Sequence, residues 1–556
     1  MIIIRMPRPT LWPPASGLTM GALLAAALVV APLLSLALNV FVGGSGATWA
    51  HLAHTVLPDY VASTLVLCVA VGAGVAAVGV GAAWLVTRHE FAGRATFEWL
   101  LVLPLAMPAY VIAYAYTDLL QYVGPVQSAL RRTFGWSRAD YWFPDVRSLG
   151  GAALMFTLVL YPYVYLLART AFLERAGGMI EVGRSLGLTP WRAFVRLSLP
   201  LARPAIAGGV ALALMETLAD YGTVSYFGVQ TFTTGIYRAW FSLGDRVAAA
   251  QLSLALLAFV VVVLTLERAS RGRSRYADAS LRSSNAQRLQ LTGVRTALAM
   301  LACALPLLLG FVLPALVLAQ LAASTPALAA QRFATLAGNS MLVAALTAAA
   351  AAAVALLIAY AARAQRGLLM RSAHRIAGFG YALPGSVIAV GVLIPVTRLD
   401  HLLAGAWRAW TGLDAGLLFT GGIAALVYAC LVRYLTAALQ SVDAGLARIT
   451  PSMDHASRSL GLTAGATLLR VHLPLLRGSV LTAALLVFID VMKELPATLV
   501  MRPFNFDTLA TTAYTLASDE RLAEAATPAL AIVAVGLGPL VVLCRRIARG
   551  AAAPHA

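Results

Sequence analysis

The sequence predicts an all-α polytopic membrane protein built from two parallel repeats of six helices. Of its 556 residues, 60% are hydrophobic and only 12% are charged. The apolar residues fall in uncharged blocks of about 20, the length a helix needs to cross roughly 30 Å of hydrocarbon. The hexapeptide Arg-Ser-Leu-Gly-Leu-Thr occurs at 184–189 and again at 458–463, so one structural unit is used twice at an offset of 274 residues. Barrel strands are excluded, because they would alternate over about 10 residues instead of running apolar throughout.

About twelve spans follow in order: 18–42, 60–87, 98–121, 149–171, 204–225 and 248–266 in the first half, then 296–320, 338–362, 376–397, 416–438, 478–500 and 525–544 in the second. The first block is longer than the roughly 7–15 apolar residues of a secretory signal, so it reads as an uncleaved span. Arg5 and Arg8 place the N-terminus in the cytoplasm, and Arg545, Arg546 and Arg549 place the C-terminus there too. Arg131, Arg132, Arg138 and Arg147 run against this pattern, in a loop predicted to lie outside. Six spans return the chain to its starting side, so the repeats run parallel and their pseudo-two-fold axis should follow the membrane normal. The second span of each half, with Gly72, Gly74, Gly79 and Gly81 in one copy and Ala348–Ala353 in the other, suits close helix packing.

The domain organisation reads as a first transmembrane half at 1–266 with its core at about 59–266, and a cytoplasmic linker at 267–295. A second half follows at 296–546 with its core at about 335–546, and 547–556 forms a cytoplasmic tail. The linker is rich in Arg and Ser and has no apolar period, which predicts a flexible segment.

A net charge of +18 would suggest nucleic acid in a soluble chain. Here the basic residues gather in loops between spans, so the partner is membrane lipid and no nucleic acid is expected. Cys68, Cys303, Cys430 and Cys544 lie in or beside apolar runs without metal-ligand spacing and read as packing residues. The one lysine, Lys493, sits in Val-Met-Lys-Glu-Leu, so no P-loop is possible. No catalytic motif is present. The chain is expected to be neither an enzyme nor a cofactor carrier.

Acidic residues stand inside predicted spans. Glu216 and Asp220 in the fifth, and Asp490 and Glu494 in its repeat, are both spaced i, i+4, which would put each pair on one helix face. Charges in hydrocarbon cost several kcal/mol unless they face water or a partner. Two pairs at equivalent positions therefore suggest a translocation path, with Tyr221 beside it. The competing reading is that Lys493 neutralises a neighbouring acid.

The repeated segment runs Glu181-Val-Gly-Arg-Ser-Leu-Gly187, nine residues, then Leu197-Ser-Leu199-Pro200. Its copy runs His455-Ala-Ser-Arg-Ser-Leu-Gly461 to Val471-His-Leu473-Pro474. This resembles the EAA loop of permease subunits of binding-protein-dependent type I ABC importers. The resemblance implies a coupling helix that seats in a groove of an ATPase subunit, with Glu181 pairing a basic residue there. His455 departs from the pattern, and Asp454 beside it would point about 100° away on a helix. The stretches Glu216–Phe241 and Asp490–Val500 with Arg502–Ala510 resemble fused ferric iron importer permeases. That implies a bacterial inner-membrane, multi-pass permease that docks two ABC ATPase subunits, which bind ATP-Mg, and one periplasmic substrate-binding protein. Iron(III) favours oxygen ligands, so Glu216, Asp220, Tyr221, Asp490 and Glu494 would ease its passage without forming a tight metal site. The same machine carrying thiamine, a polyamine or another small solute stays open. So does a proton-coupled secondary transporter using the acids as carriers.

Overall fold

The computed structural model describes residues 16–39, 46–175, 187–271, 288–324, 330–365, 367–378, 380, 383–414 and 416–552. The principal helices are α1 (Ser16–Asn39), α2 (Leu57–Arg88), α3 (Ala109–Leu120), α4 (Leu149–Arg175), α5 (Leu199–Ala219), α6 (Gly222–Tyr226), α7 (Arg246–Arg271), α8 (Val294–Leu307) and α9 (Leu313–Ser324). They continue with α10 (Ala330–Ala364), α11 (Leu368–Ala377), α12 (Gly385–Thr411), α13 (Ala424–Leu446), α14 (Pro451–Ser459), α15 (Leu473–Met492), α16 (Pro496–Met501), α17 (Leu509–Ser518) and α18 (Leu522–Ala552).

Ten helices among the described residues are long and apolar enough to cross a membrane, against about twelve predicted. The predicted third span accounts for one difference. Instead of one straight helix, Arg94–Ala106 and Ala109–Phe134 meet at a bend of 91°. Pro104 and Pro108 remove backbone donors there, and Pro108 itself is extended, with ψ 144°. The predicted twelfth span, 525–544, lies within α18.

The sequence repeat is a repeat of structure. Shifted by 274 residues, α2 falls on α10, α4 on α13, α5 on α15 and α6 on α16, each within three residues. A five-residue π-helical turn precedes the long helix in both copies, at Phe194–Ser198 and Leu468–His472. Pro200 and Pro474 explain it, since a proline near a helix start has no N–H to give to the carbonyl four residues back, and the helix widens locally.

The chain forms two compact units that do not follow the two halves of the sequence. One contains residues 49–238, 255–333 and 512–556. Here α2 packs along α4, and α5 covers both. Gly79 permits this closeness, because a Cβ there would stand 2.8 Å from the Tyr161 carbonyl oxygen. Tyr161, Tyr165, Phe156 and Phe172 of α4 are among the most buried side chains. Helices α8 and α9 open the second sequence half, yet they pack in this unit against α2, α3 and α18. The Tyr116 hydroxyl donates to the Leu309 carbonyl at 2.8 Å.

The other unit contains residues 1–48, 239–254 and 334–511. It is built on α13 against α15, with α12 and α16 alongside. The N-terminal helix α1 packs on α11 and α12, and the Tyr428 hydroxyl of α13 donates to the Leu28 carbonyl at 2.5 Å. In each unit, then, a helix from the other sequence half covers the core.

Two loop expectations change. The linker is shorter than predicted: α7 extends to Arg271, and Leu289–Gln290 pair in parallel with His89–Glu90. Arg288 adds an ion pair to Glu90 at 3.2 Å. Residues 272–287 lie outside the described residues. Two of the anomalous arginines of the 122–148 loop have partners: Arg131 lies 4.0 Å from the Tyr122 ring centroid, and Arg147 pairs with Glu520 at 2.8 Å.

Candidate functional site

Three places carry the predicted residues. The first is the doubled loop. Gly187 and Gly461 adopt φ +81° and +75°, a left-handed conformation that costs other residues roughly 1–2 kcal/mol. Each is followed by Leu and Thr. The Thr463 hydroxyl accepts the Ala466 N–H at 3.3 Å, and the Thr189 hydroxyl accepts that of Arg192 at 3.4 Å. The repeated Gly-Leu-Thr is thus a chain reversal followed by a helix cap. Leu199 and Leu473 are half-buried at the start of α5 and α15, while Pro200 and Pro474 are exposed beside them.

The helix before the turn is described in the second copy only, as α14; Glu181 lies outside the described residues. On α14, His455 is exposed and Asp454 is 1% exposed, so the two face opposite ways. Asp454 therefore does not take the place of the missing glutamate at the surface. Leu460 at the tip is 79% exposed.

The second place is the pair of intramembrane acids, where the expected helix faces do not form. Helix α5 ends at Ala219, and Asp220 is already extended, with ψ 137°. Helix α15 ends at Met492, before Glu494. The physical reason lies in the acids themselves. The Asp220 carboxylate accepts the Thr223 N–H at 2.8 Å, the Val224 N–H at 3.3 Å and the Thr223 hydroxyl at 3.2 Å. Glu494 accepts the N–H groups of Ala497 and Thr498 at 2.9 Å each and the Thr498 hydroxyl at 2.8 Å. Each acid caps the short helix that follows it, α6 or α16. Glu494 is also ion-paired with Arg433 Nη1 at 3.0 Å, both nearly buried. Glu216 and Asp490 remain on their helices, partly exposed, with Lys493 Nζ 3.0 Å from Asp490.

The third place is a phenol cluster around Tyr221. Its ring stacks on Tyr237 at 3.6 Å between centroids and is tilted against Tyr514 at 5.8 Å. The Tyr514 and Ser225 hydroxyls are 2.9 Å apart. Tyr514 belongs to the second sequence half, so residues of both halves meet here. Among the described residues no group of three or more His, Cys, Asp or Glu side chains could hold a metal ion.

Sequence reasoning passed over Arg433, although a lone arginine in the middle of an apolar span is itself a signal. It also missed a buried cluster of Arg363, Asp454 and His472, which no local pattern announces. Arg363 donates to Asp454 at 2.7 Å, and His472 Nε2 lies 3.2 Å from the same carboxylate.

Many apolar helices and a doubled polar loop fit a membrane-embedded component. Residues 73–276 match the family described as binding-protein-dependent transport system inner membrane component. The chain is 25% identical over 490 residues to the Fe(3+)-transport system permease protein FbpB 2 of Haemophilus influenzae, covering 86% of this chain and 88% of that protein. It is 28% identical over 206 residues to the molybdenum transport system permease protein ModB of Escherichia coli, covering 35% of this chain and 87% of that one. The sulfate transport system permease protein CysT of Escherichia coli is 27% identical over 144 residues, covering 26% and 49%. By these similarities the chain resembles multi-pass inner-membrane permeases of binding-protein-dependent transport systems. The matched family is named for its dependence on a binding protein.

Proposed function

We propose that this permease conducts iron(III) and that one chain supplies both halves of the translocation path. The observation that carries the reading is the end-to-end similarity to a permease named for Fe(3+) transport. The molybdenum permease is matched over 206 residues, little more than a third of this chain. The chemistry supports a cation: Glu216, Asp490 and the phenols around Tyr221 offer oxygen donors to a hard trivalent ion and would repel an oxyanion. Asp220 and Glu494 add negative charge while holding the helix ends that shape the path.

In this reading Gly187, Leu199 and Pro200, with Glu181, and Gly461, Leu473 and Pro474, with His455, belong to two cytoplasmic coupling loops. Each docks one of two ATPase subunits, and those subunits bind ATP-Mg. A single periplasmic binding protein delivers the ion on the opposite side. Both termini face the cytoplasm. The exposed Leu460 and Trp191 are apolar anchors suited to a groove on the ATPase.

The test is uptake of radiolabelled iron(III) by proteoliposomes holding the complete complex with ATP inside. Iron uptake that needs ATP and survives collapse of the proton gradient is expected. Uptake of molybdate, sulfate, thiamine or polyamine in its place would reassign the cargo, and uptake driven by a proton gradient alone would make the chain a secondary transporter.

A further inference from the structure

The second coupling loop contains a buried charge cluster that the first cannot form. Asp454, in the first turns of α14, is 1% exposed. It receives Arg363 from α10 at 2.7 Å and lies 3.2 Å from His472, the last residue of the π-helical turn that leads into α15. The Arg363 guanidinium also donates to the carbonyls of Leu446 and Ile449, at 2.9 Å each, where α13 runs into the loop. His472 is fully buried, with the Tyr360 ring edge-on at 5.5 Å. The Tyr360 hydroxyl in turn donates to the Ala464 carbonyl, just after the turn at Gly461, at 2.8 Å.

Through Arg363 this carboxylate ties the coupling helix to the ends of α10 and α13, and it rests against His472 at the foot of α15, a contact without hydrogen-bond geometry. Moving back by the repeat offset, His472 becomes Ser198, equally buried, whose hydroxyl has no partner among the described residues. Asp454 becomes Ile180, which can carry no charge. The cluster therefore belongs to the copy in which His455 replaces the family's glutamate.

We infer that Asp454 is a positioning residue that locks the second coupling helix to α10 and α15, so that a displacement of the loop moves both spans as one body. In the first copy, Glu181 holds the ATPase directly. In the second, the surface contact is weaker and the internal connection is ionic. A buried ion pair adds little net stability against an apolar substitute, but it fixes geometry, and losing one partner leaves a buried charge exposed to its surroundings without compensation. Such a link suits transmission of force better than mere retention of the fold.

This inference rests on the coupling-loop reading above, and the experiment separates the two. The full complex is reconstituted with Asp454→Asn, and the stimulation of ATP hydrolysis by the binding protein is measured per assembled complex. Stimulation should fall about fivefold or more while the ATPase still copurifies. Adding Arg363→Gln to Asp454→Asn should restore part of it, because the stranded guanidinium is removed. Unchanged stimulation, or a loss that only follows the amount of assembled complex, overturns the inference. If Asp454→Asn fails to assemble, His472→Ser decides. It keeps the Arg363 pair and installs the first copy's residue, and it should lower stimulation about twofold, with no change counting against the lock. Failure of the unsubstituted chain to copurify the ATPase would instead sink the coupling-loop reading. Failure to take up iron with stimulation intact would sink only the choice of cargo.

Discussion

Asp220 and Glu494 do the same work 274 residues apart, each turning the chain out of a long helix and capping the short one that follows. They differ in their surroundings. Glu494 has Arg433 at 3.0 Å, whereas the position equivalent to Arg433 in the first half is Val159. Glu494→Gln keeps most of the cap and deprives a buried guanidinium of its carboxylate. The expected loss is about 3 kcal/mol, seen as a lower unfolding temperature of the purified protein in detergent. Asp220→Asn retains an acceptor for the same N–H groups and should cost about 1 kcal/mol or less. A larger effect at Asp220 than at Glu494 would contradict this ranking.

The coupling turns need glycine. Gly187→Ala and Gly461→Ala place a Cβ on backbones at φ +81° and +75°, so each should destabilise its turn by roughly 1–2 kcal/mol. Because nothing among the described residues lies within 4 Å of either Cβ position, the effect is one of backbone strain and not of a clash. Asparagine, which tolerates this conformation better, should be milder than alanine at both sites. Limited proteolysis at the two loops would report the difference.

The two loops should not contribute equally to coupling. Glu181→Ala is expected to lower transport-coupled ATP hydrolysis more than His455→Ala in the reconstituted complex. Equal losses would show that His455 makes a contact as strong as that of Glu181.

One ion pair gives stability a pH dependence. The Asp443 carboxylate accepts a hydrogen bond from His374 of α11 at 3.2 Å, and this raises the histidine pKa above its ordinary value. A raised histidine pKa contributes stability that is fully present below the unfolded value of about 6.5 and is lost as pH rises through the folded value. Both side chains are partly exposed, and Arg371 and Arg375 line the same cleft, so the contribution should stay within about 1 kcal/mol. Wild type and His374→Gln should differ in unfolding temperature at pH 5.5 and converge at pH 8.5. A difference that grows with pH would refute the assignment.

Most helices were legible because they are repeated and because hydrocarbon thickness sets their length. The two glycine turns of the doubled loop were legible from a motif repeated at fixed spacing. What escaped was of two kinds, local breaks in helical continuity and contacts between distant segments. The bend at Pro108 was written in the sequence, yet hydropathy alone runs straight through two prolines. The capping role of Asp220 and Glu494 was hidden because an i, i+4 spacing suggests one continuous helix, and the helices stop between the paired acids. The pairing of His89–Glu90 with Leu289–Gln290 joins segments two hundred residues apart. The contact of Asp454 with Arg363 likewise spans 91 residues, beyond the reach of any periodicity.

The exchange of outer helices has a consequence for biogenesis. Helix α1 leaves the ribosome long before the surfaces it packs on, α11 and α12, which are not made until residues 368–411. Until then α1 can only wait in lipid or rest on a temporary neighbour, as late-closing contacts commonly require. A ribosome stalled before residue 368 should therefore carry a nascent chain whose first span crosslinks to lipid or to the insertion machinery. Only chains extended past 411 should shield it.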